Sequence, residues 1–406
     1  MSISAPIGRE VSSPIRQFFS LELLDNRYPV LHAMRVFAIA SVVQFHVTDI
    51  TLQKRALPLN AWFAQRSMDV IYGMDLFFVL SGFLIGSILL RSVEKSGSQN
   101  VGRFYLRRMF RTFPSYYVML TYLLIIKPWG PLRSAQEHHL ILEYTYLTDY
   151  GNPRLPYDLM MPWGWSLAVE EKFYFAVPFL VLLLRKLPTH RSRLWALGLI
   201  WASALGIRLA VFLSHSGWTE DSYGDAVYFK THTRYDTLVA GVILAYVQHR
   251  WREPIVRWLE SRLARATLGA VVLGCFAILL APKFFGGNHY LLLCVFMWGT
   301  ITTIMYFAML LLLINRPDGW LSRPLSAKFF RPLATLGYGV YLVHIPLAWW
   351  PVVPAELWLR VHLGWSMVAV WPAALVLLLG LSLWWAYGLH LFVEKPFLRL
   401  RERVAG

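Results

Sequence analysis

Cysteine is nearly absent from this chain. The two that occur, Cys275 and Cys294, both lie in apolar runs, which excludes a disulfide framework and offers no metal-ligand spacing. Charge is scarce as well. Asp, Glu, Lys and Arg make up 15% of the 406 residues, against 57% hydrophobic residues and a mean hydropathy of +0.47. A soluble core cannot hide that much apolar surface. The two or three soluble domains that length alone would allow are therefore set aside, and a polytopic membrane protein is expected. The first 28 residues are polar and lack the apolar stretch of a cleavable leader. Neither a repeat of fixed period nor a low-complexity segment is legible, and neither end reads as a soluble domain.

What is abundant is apolar sequence in lengths that suit a bilayer. Ten stretches read as spans of roughly 17–25 residues, at about 29–50, 69–90, 113–127, 164–184, 194–213, 231–248, 266–282, 290–314, 333–350 and 364–393; the third is short and the tenth long. Between the third and fourth, HHLILEYTYL is too short to span and is expected to be re-entrant or interfacial. The expected fold class is all-α, with about ten transmembrane helices. Its parts are a cytoplasmic segment 1–28, a membrane domain 29–393 and a cytoplasmic tail 394–406. With the N-terminus inside, the cytoplasmic segments carry 26 Lys and Arg and the outer ones 9. That asymmetry places both termini in the cytoplasm. It also accounts for most of the formal charge of +16, so nucleic-acid binding is discarded.

Four cations fall within spans, Arg35, Lys172, Arg208 and Arg234. Four potential anions accompany them, Asp75, Glu170, Glu171 and Asp236, together with His46 and His344. Ionisable groups at membrane depth are costly unless paired or wet, so each is a functional candidate. Asp75 with Arg208, or Glu171 with Lys172, could equally be structural pairs, and His344, just before Ile345-Pro346, a helix-end histidine. In RVFAIASVVQFHV, Arg35 and His46 are separated by eleven residues. At ~1.5 Å per residue and about 100° per step they lie roughly 16 Å apart on nearly one line of a helix. By topology, Asp75, Glu170, Glu171, Asp236, His46 and His344 should share the outer half of the bundle, with Arg35 on the cytoplasmic side. The loop FYLRRMFRTFPSYY sets Arg107, Arg108 and Arg111 among aromatics. It reads either as an anchor for anionic lipid heads or as a phosphate-binding rim.

A histidine near carboxylates can act as general base on a hydroxyl, and buried Arg, Lys or Tyr could stabilise an oxyanion. Ser166 in GWSLA does not fit the G-x-S-x-G pattern. His138 and His139 are adjacent and outside the bundle, and no metal is expected. GFLIG, Gly82 to Gly86, reads as close helix packing.

Seven segments in order resemble the membrane-bound acyltransferase-3 family. They are the Arg35-x10-His46 pair, GMDLFFVLSGFLIG (73–86), FYLRRMFRTFPSYY (104–117), WSLAVEEKFYFAVP (165–178), RYDTLVAG, LGYGVYLVHIPL and VEKPFLRLR. The resemblance implies transfer of an acyl group, usually acetyl, from cytoplasmic acyl-CoA to a hydroxyl of a glycan or lipid-linked saccharide at a bacterial inner membrane. It implies His46 as catalytic base, Arg35 at the CoA end, and the paired Glu170 and Glu171 at the site. On charge and depth, Asp75 is added to the catalytic group, Arg107, Arg108 and Arg111 to the CoA end, and Lys172, Arg234, Asp236 and His344 are expected to face substrate. Two departures stand out. His32-Ala33-Met34 precedes the motif arginine where Asp-Gly is common, and Lys172 follows the paired glutamates where Gln is usual, which leaves room for an anionic acyl group such as succinyl. The alternative from another class is a transporter or flippase of a polysaccharide precursor, which shares the many spans and buried charges.

Overall fold

The computed structural model describes residues 19–53, 72–96, 100–127, 139–151, 159–280 and 288–405. Expectations for the first 18 residues, for 69–71, for His138 and for residues 281–282 lie outside the described residues. Regular structure among the described residues is helical throughout. The helices are α1 (Val30–Gln53), α2 (Gly73–Ser96), α3 (Val101–Ile126), α4 (Trp165–Lys186), α5 (His190–Leu213), α6 (Thr231–Trp258), α7 (Arg262–Leu280), α8 (Asn288–Phe296), α9 (Thr302–Asn315), α10 (Phe330–Leu347), α11 (Met367–Leu389) and α12 (Lys395–Ala405). Eight stretches are long and apolar enough to cross a membrane: α1, α2, α3, α5, α7, α8 running into α9, α10 with its continuation to Leu363, and α11 running into α12. The chain is thus an integral membrane protein. Helices α4 and α6, 22 and 28 residues long, have the length but are too polar to join that set. They are also the helices that carry Glu170, Glu171, Arg234 and Asp236.

Small residues let α2 and α6 touch backbone to backbone, as the GFLIG segment foretold. A Cβ added at Gly82 would stand 1.9 Å from the Leu238 carbonyl oxygen, and one at Gly241 2.2 Å from that of Val79. One turn further, Gly86 faces Ala245 and Val242. This contact seats α6, with its buried charges, against α2, which carries Asp75.

Several boundaries differ from the sequence expectation: α6 runs on to Trp258 rather than ending near 248, and α10 continues to Leu363 rather than ending near 350. The third span begins at Val101 rather than near 113. Asn100 caps it, its side chain accepting the Arg103 N–H at 2.9 Å. Arg107, Arg108 and Arg111 therefore sit on the first turns of α3 and not in a loop. At the other end, α11 passes through a π-turn, His390–Glu394, into α12. The first described residues lie on this last stretch and on the start of α10: Tyr387 Oη donates to Phe19 O at 2.8 Å, Lys395 Nζ to Ser20 O, and Arg331 of α10 donates Nε–H to Leu24 O at 2.7 Å. The first and last described segments thus meet at one end of the bundle.

The described part of the segment HHLILEYTYL forms only the five-residue helix Leu140–Tyr144, and among the described residues that follow, Tyr146, Thr148, Asp149 and Leu159 to Met161 are buried. Tyr116 Oη donates to Glu143 O at 2.8 Å, and the Glu143 carboxylate accepts the N–H groups of Met160 and Met161 at 3.2 and 2.6 Å. Tyr146, in the left-handed region at φ 55°, stacks on Tyr116 with ring centroids 4.2 Å apart. Paired this way, the backbone polar groups can lie among apolar helices, and α4 begins inside the bundle.

Candidate active site

The first cluster is a histidine pair. His46 on α1 and His344 on α10 face each other with ring centroids 5.2 Å apart. His344 is fully buried, and its Nδ1 lies 2.6 Å from Tyr341 O. A carbonyl there selects the Nδ1–H tautomer and leaves Nε2 as an acceptor. That Nε2 is buried and has no hydrogen-bond partner among the described residues. Trp163 lies edge-on to His344 at 6.4 Å, and Tyr341 Oη donates to Trp163 O at 2.5 Å while sharing a 2.5 Å contact with Ser166 Oγ. His46 is half-buried. The only titratable group acting on it among the described residues is His344. A carboxylate beside His46 was expected, and the structure places the second imidazole there.

The second cluster surrounds Arg35 and gathers both glutamates. Arg108 stacks on the Tyr174 ring, 3.7 Å from its centroid, and its Nε is 3.9 Å from Glu171 Oε1. Tyr174 Oη donates to Glu170 Oε1 at 2.8 Å and is hydrogen-bonded to Ser81 Oγ. Arg35 lies within electrostatic reach of Arg108, Arg111, Tyr174 and Glu170. Neither Arg35 nor Arg111 makes a hydrogen bond or ion pair among the described residues, while Arg107 is exposed at the rim. This corrects the expected depth. Because α4 starts inside the bundle, Glu170 is four residues, ~6 Å of helix, past Ser166. It therefore reaches the Arg35 level and not the histidine level.

The third cluster joins α2, α5, α6 and the turn between α8 and α9, and it too re-pairs the expected charges. Asp75 is bonded to Arg234, not to Arg208. Arg208 gives Nε to Val295 O at 2.9 Å, Nη1 to Thr233 O at 2.5 Å, and Nη2 to Asp236 Oδ2 and Thr300 Oγ1 at 2.8 and 2.7 Å. Gly299, at φ 104°, makes this possible, since a Cβ there would lie 2.5 Å from Asp236 Oδ2. Asp236 also accepts the Thr237 N–H at 3.0 Å, so its oxygens are engaged within the protein. Arg234 is different. It lies under the Tyr228 ring at 4.7 Å, fully buried, and among the described residues its Nε and Nη1 have no hydrogen-bond partner, nor has Asp75 Oδ2.

Lys172 joins none of the three. Its ammonium donates to Tyr146 O at 3.0 Å and is paired with Asp149, which also accepts the Thr231 hydroxyl at 2.5 Å. Neighbours on a helix point about 100° apart, so Glu171 turns to Arg108 while Lys172 turns to Tyr146 and Asp149. Sequence reasoning passed over Tyr174, Tyr341 and Trp163. The i, i+4 spacing of Glu170 and Tyr174 was the one available signal.

Residues 28–390 match a family profile described as an acyltransferase domain, acyltransferase type 3. Over 342 residues the chain is 28% identical to the peptidoglycan O-acetyltransferase OatA of Listeria monocytogenes, covering 79% of this chain and 49% of that protein. It is 26% identical over 349 residues to the O-acetyltransferase OatA of Staphylococcus aureus, covering 82% and 53%. The chain thus spans about half the length of the relatives it matches. No solved structure matches it. With the profile running from just before α1 to the end of α11, and with Arg35, His46 and the paired glutamates falling inside it, the chain belongs to the acyltransferase-3 family.

Proposed function

We propose that the protein is an O-acyltransferase of the bacterial cytoplasmic membrane. It moves an acyl group, acetyl by analogy with the named relatives, from acyl-CoA to a hydroxyl of a cell-envelope glycan. The observation that carries the reading is the arrangement along α1. Arg35, in a nest with Arg108 and Arg111, stands roughly 16 Å of helix from the His46–His344 pair. Guanidinium groups match the phosphates of the donor, and an extended arm rising along α1 would bring the thioester to the histidines. The acceptor oxygen then attacks the thioester carbon, its proton passes to His46, and the C–S bond breaks. The CoA thiolate leaves and takes up that proton. His344, its tautomer set by Tyr341 O, holds His46 in place by packing its ring against that imidazole. Helices α4 and α6 complete ten membrane crossings, and the Lys and Arg asymmetry puts both ends on the donor side.

The test is transfer of radiolabel from acetyl-CoA, with succinyl-CoA alongside, into the glycan and lipid fractions of membranes that hold wild type or His46→Ala. Label that depends on His46 is expected. Glycan moved across the membrane without covalent label would instead establish a carrier.

A further inference from the structure

A cavity of about 480 Å³ opens where the chain enters α1, α2 ends, α6 passes and α9 ends. Its wall carries Arg27, Arg91, Arg252 and His249, over an apolar floor that includes Tyr28 and Leu313. Among the described residues no carboxylate lines it. Two carboxylates stand at its edge: Glu94 pairs with His249 of the wall at 3.2 Å, and Asp25, whose Oδ1 accepts the backbone N–H of Arg27 at 3.1 Å, lies within electrostatic reach of Arg91, so the three arginines still outnumber them. The side chains of Arg27, Arg91 and Arg252 make no hydrogen bond or ion pair among the described residues. Gln248 of the wall and Asn315 exchange both amide hydrogen bonds at 2.9 Å, tying α6 to α9.

Arginines at helix ends commonly just set topology, and such residues splay into water. Here three, from three separate elements, converge on one concavity with an apolar base. The site is distinct from the Arg35 nest. Val30 lines the cavity, and Arg35, five residues on, points about 140° round the helix.

We propose that this cavity binds a phosphate ester carried on an apolar or aromatic body, independently of the acyl donor. Guanidinium forks grip phosphate oxygens in pairs, the volume falls within the range of small-ligand pockets, and the Tyr28 and Leu313 floor suits the attached body. The phosphate could belong to an anionic lipid headgroup or to a soluble metabolite, and two probes separate these sources.

The full chain in detergent would be titrated with inorganic pyrophosphate. In parallel it would be exposed to mixed phosphatidylglycerol and phosphatidylcholine micelles, with retained lipid read by native mass spectrometry. At least one probe should bind, and R27Q/R91Q/R252Q should weaken it by roughly tenfold or more, although Arg35, Arg108 and Arg111 remain. R185Q/K186Q, which removes two exposed charges elsewhere, should not. Retention of phosphatidylglycerol alone assigns the lipid source, and pyrophosphate binding the soluble one. If the triple variant does not elute as a single species, R252Q alone, at an exposed position, serves in its place. Binding of neither probe, binding unchanged in the cavity variant, or equal loss in the control would overturn the proposal.

Discussion

Breaking the Arg208–Asp236 pair is expected to cost stability, and restoring neutrality should recover part of that loss. Arg208 is fully buried and donates four hydrogen bonds, two of them to side chains and two to backbone carbonyls. Arg208→Met removes all four and leaves the Asp236 carboxylate buried beside a single backbone N–H. Stranding one member of a buried pair typically costs about 3–5 kcal/mol. In R208M/D236L the stranded charge is gone and only neutral groups lose a partner, the Val295 and Thr233 carbonyls, the Thr300 hydroxyl and the Thr237 N–H, so the double variant should regain at least about 2 kcal/mol. Equilibrium unfolding in mild detergent titrated with SDS, followed by the fluorescence of the 18 tryptophans, reads the difference. A double variant as unstable as the sum of the singles would refute pairing. So would an Asp236→Asn protein of unchanged stability that has lost acceptor affinity, which would return Asp236 to the substrate.

Gly82→Ala should reduce stability by about 1–3 kcal/mol or more, because its Cβ meets the Leu238 carbonyl; unfolding in the same detergent series checks it. Lys172→Met should leave the preference between acetyl-CoA and succinyl-CoA unchanged while lowering stability, since Asp149 loses its cation; competition between the two donors decides. Tyr174→Phe keeps the ring under Arg108 but removes the hydroxyl from Glu170 and Ser81. The donor KM should then rise roughly tenfold, the worth of a hydrogen bond to a charged group, with a smaller change in kcat.

The long apolar helices were legible because bilayer thickness fixes their length, and the Gly82–Gly86 contact because only small residues allow such an approach. Arg35 and His46 were legible because one helix sets their spacing. Partners were not. Nothing in the sequence separates Asp75–Arg234 from Asp75–Arg208, since the choice depends on how α2, α5 and α6 are rotated. Glu171 and Lys172 are adjacent in sequence and on that account face different neighbours. The start of α3 was misplaced because charge masks a helix that an Asn100 cap announces. The depth of Glu170 was misjudged because α4 begins among buried residues, Met160, Met161, Trp163 and Ser166, rather than at a surface. His344 was counted among the titratable groups, but its contact with His46 appears only when α1 and α10 pack.

The most direct test compares His46→Ala with Arg35→Ala for acetyl-CoA binding and for transfer to glycan. If the arginine nest holds the donor and the histidine takes the acceptor's proton, His46→Ala binds acetyl-CoA like wild type and transfers nothing, whereas Arg35→Ala binds it more weakly and still transfers at high donor concentration. Full transfer by His46→Ala, or donor binding that falls with His46 and not with Arg35, would contradict that division of roles.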